Sequence, residues 1–212
     1  MAVLGAGSWG TALAILLARG GERTVLWARD PIKADTMNRD RCNSRYLPDI
    51  RLPDALEVSA DLPQVVSGAK DLLVVVPSHA FRATLEEIRP LMRPEQRLVW
   101  ATKGFESGTG KLLHQVVDEV MGKHLATAVV SGPTFAKEVA AGLPTAVTVA
   151  SNNAAFATEL ASHLHDETFR AYTCDDVPGV EVGGCVKNVL AIAAGIADGL
   201  GFGANTLSLI HI

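Results

Sequence analysis

The sequence has few of the residues that build disulfide frameworks or metal sites. Its three cysteines, Cys42, Cys174 and Cys185, are widely spaced and form no CxxC pair. This odd number and wide spacing exclude a disulfide framework and favour a reducing, cytoplasmic environment. The six histidines form no HExxH or HxxxH spacing, so we expect no bound metal.

An excess of positive charge and a long apolar run are also missing. The formal net charge of −4 at pH 7 excludes a nucleic-acid partner or an acidic membrane bound through bulk charge. The longest apolar stretch, Val186–Ile196, includes Lys187 and Asn188 and is too short to span a bilayer, so no membrane partner is expected. We expect no signal peptide, because Met1–Leu4 leads straight into a glycine loop.

What the sequence does contain is an alternation of short β-branched runs and helical patterns. The predicted strands are Ala2–Leu4, Thr24–Trp27, Asp71–Val76, Arg97–Trp100, Thr127–Val130 and Ala146–Ala150. The predicted helices are Trp9–Arg19, Ile32–Arg39, Asp61–Ser67, Arg82–Leu91, Phe135–Ala141, Ala154–His163 and Val177–Leu200. The proline-punctuated segment Tyr46–Pro53 is expected to be a loop. This alternation is typical of an α/β fold.

The composition changes near residue 176, and we place a domain boundary there. Residues 1–176 are predicted to form a Rossmann-like dinucleotide-binding domain. Residues 177–212 begin with one long helical pattern dense in glycine and alanine, with no strand signal after it. Because a lone helix cannot bury its apolar surface, we expect this segment to be the start of an all-α C-terminal domain.

The segment Gly5-Ala6-Gly7-Ser8-Trp9-Gly10 matches GxGxxG, directly between a predicted strand and a predicted helix. Gly5 permits the tight turn, Gly7 lets the backbone approach a pyrophosphate, and Gly10 lets helix and strand pack closely. The free N–H groups of the first helical turn attract the anion. The motif therefore predicts a bound NADP or NAD.

The choice between the two dinucleotides depends on the end of the second strand. That strand leads into Ala28-Arg29, whereas the NAD-preferring pattern has an acidic residue there that bonds the ribose 2′-hydroxyl. The guanidinium of Arg29 suits a 2′-phosphate. Asp30 could instead compete for the ribose, and a solvated arginine at a strand end is the remaining interpretation.

Polar residues that follow other strands are candidates for the cleft. Pro77 turns the chain across the sheet edge beside the expected nicotinamide, and His79 is more typical of a structural or cleft-lining residue than of a base. Gly132 and Thr134 lie in a strand-to-helix turn that could reach a small polar ligand. Lys103 follows a strand and would stand at the ligand-binding edge, although alone it is more typical of a solvated surface lysine.

Lys187 and Asn188 are the only strongly polar residues in an otherwise apolar stretch. A lysine is costly to bury unless a ligand or partner uses its charge. If Lys103 and Lys187 share one pocket, each lowers the pKa of the other, and this suits general acid–base catalysis.

Several segments together resemble the soluble bacterial NAD(P)-dependent sn-glycerol-3-phosphate dehydrogenases. They are GAGSWGTALA, VPSHAFR, TKGFE, SGPTFAKEVA, PTAV and VEVGGCVKNVLAIAAGIADGLGFGANT, in the order of the family, from Ala2 to Thr206. The resemblance implies interconversion of dihydroxyacetone phosphate and sn-glycerol 3-phosphate by hydride transfer, for glycerophospholipid synthesis in the cytoplasm. A homodimer is a further expectation.

The resemblance also assigns roles to residues. It implies that Lys187 is the catalytic lysine, with Asn188 and Lys103 beside it in the active site. Together with the glycine loop and Pro77, it gives a cofactor set of Gly5, Gly7, Ser8, Trp9, Gly10, Arg29, Tyr46, Pro77, Lys103 and Ala136. The substrate set is Lys103, Gly132, Thr134 and Lys187.

The final segment, Leu207–Ile212, departs from the pattern of the family, which continues well past it. We therefore expect a C-terminally truncated chain that is weakly active or inactive. A β-hydroxyacid or 6-phosphogluconate-type dehydrogenase is an alternative, but these usually place the asparagine about a turn after the lysine. A nucleotide-binding module without catalysis is the other alternative.

Overall fold

The computed structural model describes residues 1–203, apart from the side chain of Asn188. The strands are β1 (Ala2–Leu4), β2 (Val25–Trp27), β3 (Cys42–Asn43), β4 (Leu47–Arg51), β5 (Glu57–Ser59), β6 (Asp71–Val74), β7 (Arg97–Trp100), β8 (Thr127–Ser131), β9 (Thr145–Ser151) and β10 (Phe169–Cys174). The helices are α1 (Ser8–Arg19), α2 (Pro31–Asp40), α3 (Leu62–Ser67), α4 (Ser78–Ile88), α5 (Leu113–Met121), α6 (Ala136–Ala140), α7 (Ala154–Leu164) and α8 (Val177–Gly199). A 3₁₀ turn, Arg89–Leu91, follows α4.

Eight strands form one sheet in the order β10-β9-β8-β7-β6-β1-β2-β5. Strand β1 pairs in parallel with β2 on one side and with β6 on the other. The strand order reverses at this point, and open α/β sheets bind ligands in the crevice outside the carboxyl ends of such strands. The predicted Rossmann-like α/β fold is confirmed, and the expected site lies at β1 and β6.

One pairing departs from the parallel pattern. Strand β9 runs antiparallel to β8, with Val130 opposite Val149, and β10 runs parallel to β9. The last two strands therefore run from the carboxyl edge of the sheet back to its amino edge. The chain leaves β10 at the edge opposite the ligand crevice.

Helices cover both faces of the sheet. Helices α1, α6 and α7 pack on one face, where Phe156 and Leu160 are buried. Helices α3, α4 and α5 pack on the other, where the rings of Phe81 and Trp100 meet edge to face, 6.3 Å apart. A sheet covered on both faces explains why β6 is buried at every position.

The prediction of a loop at Tyr46–Pro53 is wrong for most of that segment. Residues Leu47–Arg51 form β4, which pairs antiparallel with β3 in a separate two-stranded ribbon. Pro48 is tolerated because a two-stranded ribbon leaves one side of each strand without a partner. Strands β3, β5 and β10 and helix α5 were also not predicted, although the buried Leu113, Val116 and Val120 of α5 recur at helical spacing.

Helix α8 is present over nearly the predicted range. Its first turn is capped by Asp176, whose carboxylate accepts a hydrogen bond from the backbone N–H of Gly179 at 2.8 Å. Most of its apolar side chains are exposed, among them Val189, Ile192 and Ile196. The segment Leu207–Ile212, expected to depart from the family pattern, lies outside the described residues.

The length of α8 corrects one expectation. Its 23 residues are long and apolar enough to cross a membrane, whereas the sequence suggested a stretch too short to do so. Length and composition alone are weak grounds for a membrane span, because core helices of soluble proteins meet the same criteria. The boundary at residue 176 stays a prediction.

Candidate functional site

The glycine loop lies at the carboxyl end of β1, against the segment that leaves β6. Gly5 has φ +125°, and a Cβ placed on it would lie 2.4 Å from the carbonyl oxygen of Val75. A Cβ on Gly10 would lie 1.9 Å from the carbonyl oxygen of Gly5. A Cβ on Gly7 would meet nothing within 4 Å. Two glycines are therefore required for packing, and the third faces open space at the start of α1.

A cleft of about 690 Å³ begins at this loop and runs along the end of β2. Its walls include Arg29, Tyr46, Pro77 and His79, as well as Gly5 and Gly7. Lys33 and Arg45 also line it, so its far end carries three cationic side chains with Arg29. The structure thus brings together the predicted adenine-side residues.

Asp30, which could compete for a ribose, has another partner. Its Oδ1 accepts the backbone N–H of Ile32 at 3.0 Å and that of Lys33 at 3.4 Å. The carboxylate caps α2, where it complements the positive end of the helix dipole. This engagement leaves Arg29 as the more available group at the end of β2.

Asn43 was not identified from the sequence, although it positions Tyr46. It is 4% exposed, and its Nδ2 donates to the carbonyl of Ala6 at 3.1 Å and to Oγ1 of Thr11 at 2.8 Å. These bonds fix the ribbon of β3 and β4 to the glycine loop and to α1. No spacing rule in the sequence points to this asparagine.

A second cleft of about 460 Å³ continues from the first, since Gly7, Val75, Val76 and Pro77 line both. Among the predicted site residues, it is lined by Gly7, Ser8, Trp9, Gly10, Pro77, Lys103, Thr134, Ala136 and Lys187. The predicted cofactor and substrate residues therefore meet along one continuous groove, with the glycine loop near its middle.

The two predicted lysines both reach this second cleft. Lys103 Nζ donates to the carbonyl oxygen of Gly132 at 2.8 Å and lies 5.9 Å from the ring centre of Trp9. Burial lowers the pKa of Lys103, and the positive charge of Lys187 lowers it further. Lys187 Nζ lies 5.2 Å from the ring centre of Phe135. The two ammonium groups thus bring positive charge into one cleft, where it would stabilise an oxyanion.

Two buried polar atoms in this cleft have no hydrogen-bond partner within the described part of the chain. They are Oγ1 of Thr134 and Nε1 of Trp9. Buried polar atoms are rarely left unpaired, because an unmade hydrogen bond costs about 1–3 kcal/mol. Together with the open space at Gly7, these atoms fit a polar ligand in the groove.

The backbone of α8 approaches the second cleft closely at Gly184. A Cβ on Gly184 would lie 2.8 Å from Oγ of Ser131 and 3.8 Å from Cγ of Lys103. The glycine therefore lets α8 pack against the end of β8, one turn before Lys187. Asn188 lies on α8, but its side chain is outside the described residues.

Within the described part of the chain, the cysteines and histidines form no comparable cluster. Cys42, Cys174 and Cys185 are free thiols. Between residues 1 and 203, no three His, Cys, Asp or Glu side chains are grouped so as to hold a metal ion. His79 is exposed in the wall of the first cleft, in agreement with the cleft-lining interpretation.

A GxGxxG loop at the switch point of a Rossmann-like sheet defines a dinucleotide-binding protein. The family model described as "NAD-dependent glycerol-3-phosphate dehydrogenase N-terminus" matches residues 1–157, and its C-terminal counterpart matches residues 176–211. The chain belongs to the NAD-dependent glycerol-3-phosphate dehydrogenase family.

Similar proteins agree with this assignment. The glycerol-3-phosphate dehydrogenase (NAD(P)+) of Escherichia coli strain UMN026 is 55% identical over 206 residues, which cover 97% of this chain and 61% of that protein. The structure of the Coxiella burnetii glycerol-3-phosphate dehydrogenase has a TM-score of 0.89 at 47% identity, covering 98% of this chain and 63% of its own.

A more distant structure shares the fold. The Saccharomyces cerevisiae glycerol-3-phosphate dehydrogenase has a TM-score of 0.85 at 26% identity, over 98% of this chain and 65% of its own. The chain thus spans 61% of the length of the Escherichia coli relative.

Proposed function

We propose that the groove binds NADP(H) or NAD(H), with the pyrophosphate over Gly7 and the first turn of α1. The fit is supported by the open space at Gly7 and by the helix N-terminus behind it. The adenosine half would lie between Arg29 and Tyr46, and the nicotinamide half near Pro77, Trp9 and Ala136. The three cations at the far end favour a 2′-phosphate.

We further propose that the whole protein interconverts dihydroxyacetone phosphate and sn-glycerol 3-phosphate. The convergence of Lys103 and Lys187 on the second cleft is the observation that carries this proposal. When bound, the reduced dinucleotide supplies the hydride for the ketone carbon. Lys187 donates the proton to the ketone oxygen and takes it back in the reverse direction.

Other groups in the cleft would orient the substrate. The ammonium of Lys103, held by the carbonyl of Gly132, places positive charge beside the oxygen that becomes an alkoxide. The hydroxyl of Thr134 is free to bond the substrate, and Asn188, by the family resemblance, lies next to the catalytic lysine. Gly132, Thr134 and Lys103 thus form the proposed substrate set with Lys187.

Lys187→Met tests the reaction in a version of the protein extended with the C-terminal region of the Escherichia coli relative. Oxidation of NADPH by dihydroxyacetone phosphate should fall about a hundredfold or more, because general acid catalysis contributes roughly 10²–10⁴. Lys123→Met, which changes an exposed lysine, is the matched control. Turnover within about threefold of the parent would remove Lys187 from the mechanism.

The same assay separates the alternatives. A nucleotide-binding module would bind NADPH in the extended protein without consuming it. A β-hydroxyacid or 6-phosphogluconate-type dehydrogenase would oxidise the corresponding hydroxyacid and leave glycerol 3-phosphate unchanged.

We also propose a cellular location, a metabolic role and an oligomeric state for the protein. A cytoplasmic location is supported by the three free thiols, and a role in phospholipid synthesis follows from the product sn-glycerol 3-phosphate. We propose a homodimer with no nucleic-acid or membrane partner. The carboxylate of Glu181, which binds α8 to the sheet domain, supports packing of this helix on protein rather than in lipid.

A further inference from the structure

Glu181 is a buried carboxylate on α8 that neither the glycine motif nor the lysines explain. It is 5% exposed. Its Oε1 accepts hydrogen bonds from Nε1 of Trp100 and from the backbone N–H of His114, both at 2.9 Å. Its Oε2 lies 2.5 Å from Nδ1 of His114. One side chain therefore joins three elements, α8, α5 and β7.

The elements joined by Glu181 are those that carry the two lysines. Trp100 is the last residue of β7, three positions before Lys103. Lys187 follows Glu181 on α8 by six positions, with Gly184 midway against Ser131 and Lys103. A movement of α8 relative to β7 would change the separation of the two lysines directly.

A purely stabilising role does not explain why a hydrogen-bonding side chain is buried at this position. Burial raises the pKa of Glu181, so the ionised form is costly at this position. Replacing buried, paired polar side chains by apolar residues of similar volume is often neutral or stabilising. A carboxylate with fixed partners does, however, define one orientation of the helix.

We propose that Glu181 is a positioning residue that sets Lys187 against Lys103 by fixing α8 to α5 and β7. The proposal rests on the role of Lys187 proposed above, but it can be tested without turnover. Burial and the charge of Lys187 lower the pKa of Lys103. The pKa of Lys103 therefore reports on whether Lys187 is in place.

The experiment measures the rate at which an amine-selective acylating reagent modifies Lys103 as a function of pH, by peptide mass spectrometry. In the 212-residue chain, Lys187→Met should shift the midpoint for Lys103 upward, because a neighbouring positive charge is removed. Glu181→Ala should shift it upward as well, since α8 loses its anchor. Glu181→Gln should leave the midpoint unchanged, because the amide oxygen can still accept from Trp100 and His114.

Two further variants separate positioning from general destabilisation. Leu160→Ala removes a buried side chain on the opposite face of the sheet and should lower the melting temperature without moving the midpoint for Lys103. In the Lys187→Met background, Glu181→Ala should have a smaller effect than in the parent, because the two changes act through the same contact. If Glu181→Ala does not fold, His114→Ala, which removes one partner of Oε2, should shift the midpoint in the same direction.

The outcomes distinguish the two proposals. An upward shift with Lys187→Met but none with Glu181→Ala or His114→Ala would overturn the positioning role and leave the two-lysine cleft intact. An equal shift with Glu181→Ala in both backgrounds would also overturn it. No shift with Lys187→Met would overturn both, because the lysines would then not share a pocket.

Discussion

Gly7→Val is the substitution that tests the proposed cofactor site most directly. An added Cβ at Gly7 meets no atom within 4 Å, and Gly7 lines both halves of the groove. Its φ of −79° is accessible to valine, so the backbone need not change. The two methyl groups would fill the space assigned to the pyrophosphate. The expected result is a folded protein that has lost its dinucleotide.

The size of the effect follows from the contacts removed. Backbone N–H groups that bind a charged oxygen contribute about 1.5–3 kcal/mol each. Loss of two such bonds weakens binding by roughly 3–6 kcal/mol, or about 10²–10⁴ in Kd. Valine is a poor residue before the first turn of a helix, and this costs about 1 kcal/mol of folding stability. Binding should therefore suffer far more than folding.

The assay is calorimetric titration with NADPH, accompanied by urea unfolding. Gly183→Val introduces the same side chain at an open position on the exposed side of α8 and should leave the Kd unchanged. Gly10→Ala is the opposite control, because its Cβ would lie 1.9 Å from a carbonyl oxygen and should destabilise the fold. A Kd for Gly7→Val within about threefold of the parent would refute the assignment of this loop to the pyrophosphate.

Three more predictions concern the cofactor, the sheet and turnover. Arg29→Glu should weaken NADPH binding much more than NADH binding, through loss of a charge-assisted contact with the 2′-phosphate; equal losses by titration would assign Arg29 no such contact. Arg97→Met should lower the free energy of unfolding in urea by about 3–5 kcal/mol, because Asp71, bound at 2.5 and 2.8 Å, is left buried and unpaired. Lys70→Met, which breaks an exposed pair with Glu159, should change it by under about 1 kcal/mol, and similar losses in both variants would contradict the distinction. The 212-residue chain should bind NADPH yet oxidise it with dihydroxyacetone phosphate on the order of a hundredfold more slowly than the extended version, because a lysine misplaced by ~1 Å loses about that much; comparable rates would contradict this.

The features predictable from the sequence are those that one short segment specifies. Gly5, Gly7 and Gly10 fix a turn that depends on neighbours in the chain, and the sheet confirms its place between strand and helix. Lys187 was distinctive because its apolar surroundings make a charge costly. The ends of the predicted strands suggested that Lys187 shares a cleft with Lys103, and the structure places both side chains in the second cleft.

The features that sequence reasoning missed depend on residues far apart in the chain. Asn43 is important only because Ala6 and Thr11 lie beside it in space, and no local pattern encodes that contact. In the sequence, Glu181 cannot be distinguished from an ordinary exposed helix residue, because its burial depends on contacts with Trp100 and His114. Antiparallel pairing of β9 could not be predicted, since an apolar run carries no information about its direction.

Because β9 and β10 run opposite to the other strands, α8 must span the length of the strands, from the amino edge of the sheet to its carboxyl edge. The chain starts α8 at the amino edge and must deliver Lys187 to the carboxyl edge. Lys187 lies ten positions after Val177, or about 15 Å along the helix, close to the roughly 16 Å length of a five-residue strand. One residue inserted between Glu181 and Lys187 would turn the lysine by about 100° around the helix axis relative to the anchored carboxylate. The spacing of Glu181 and Lys187 is therefore constrained by the fold, whereas an insertion before Asp176 would leave it unchanged.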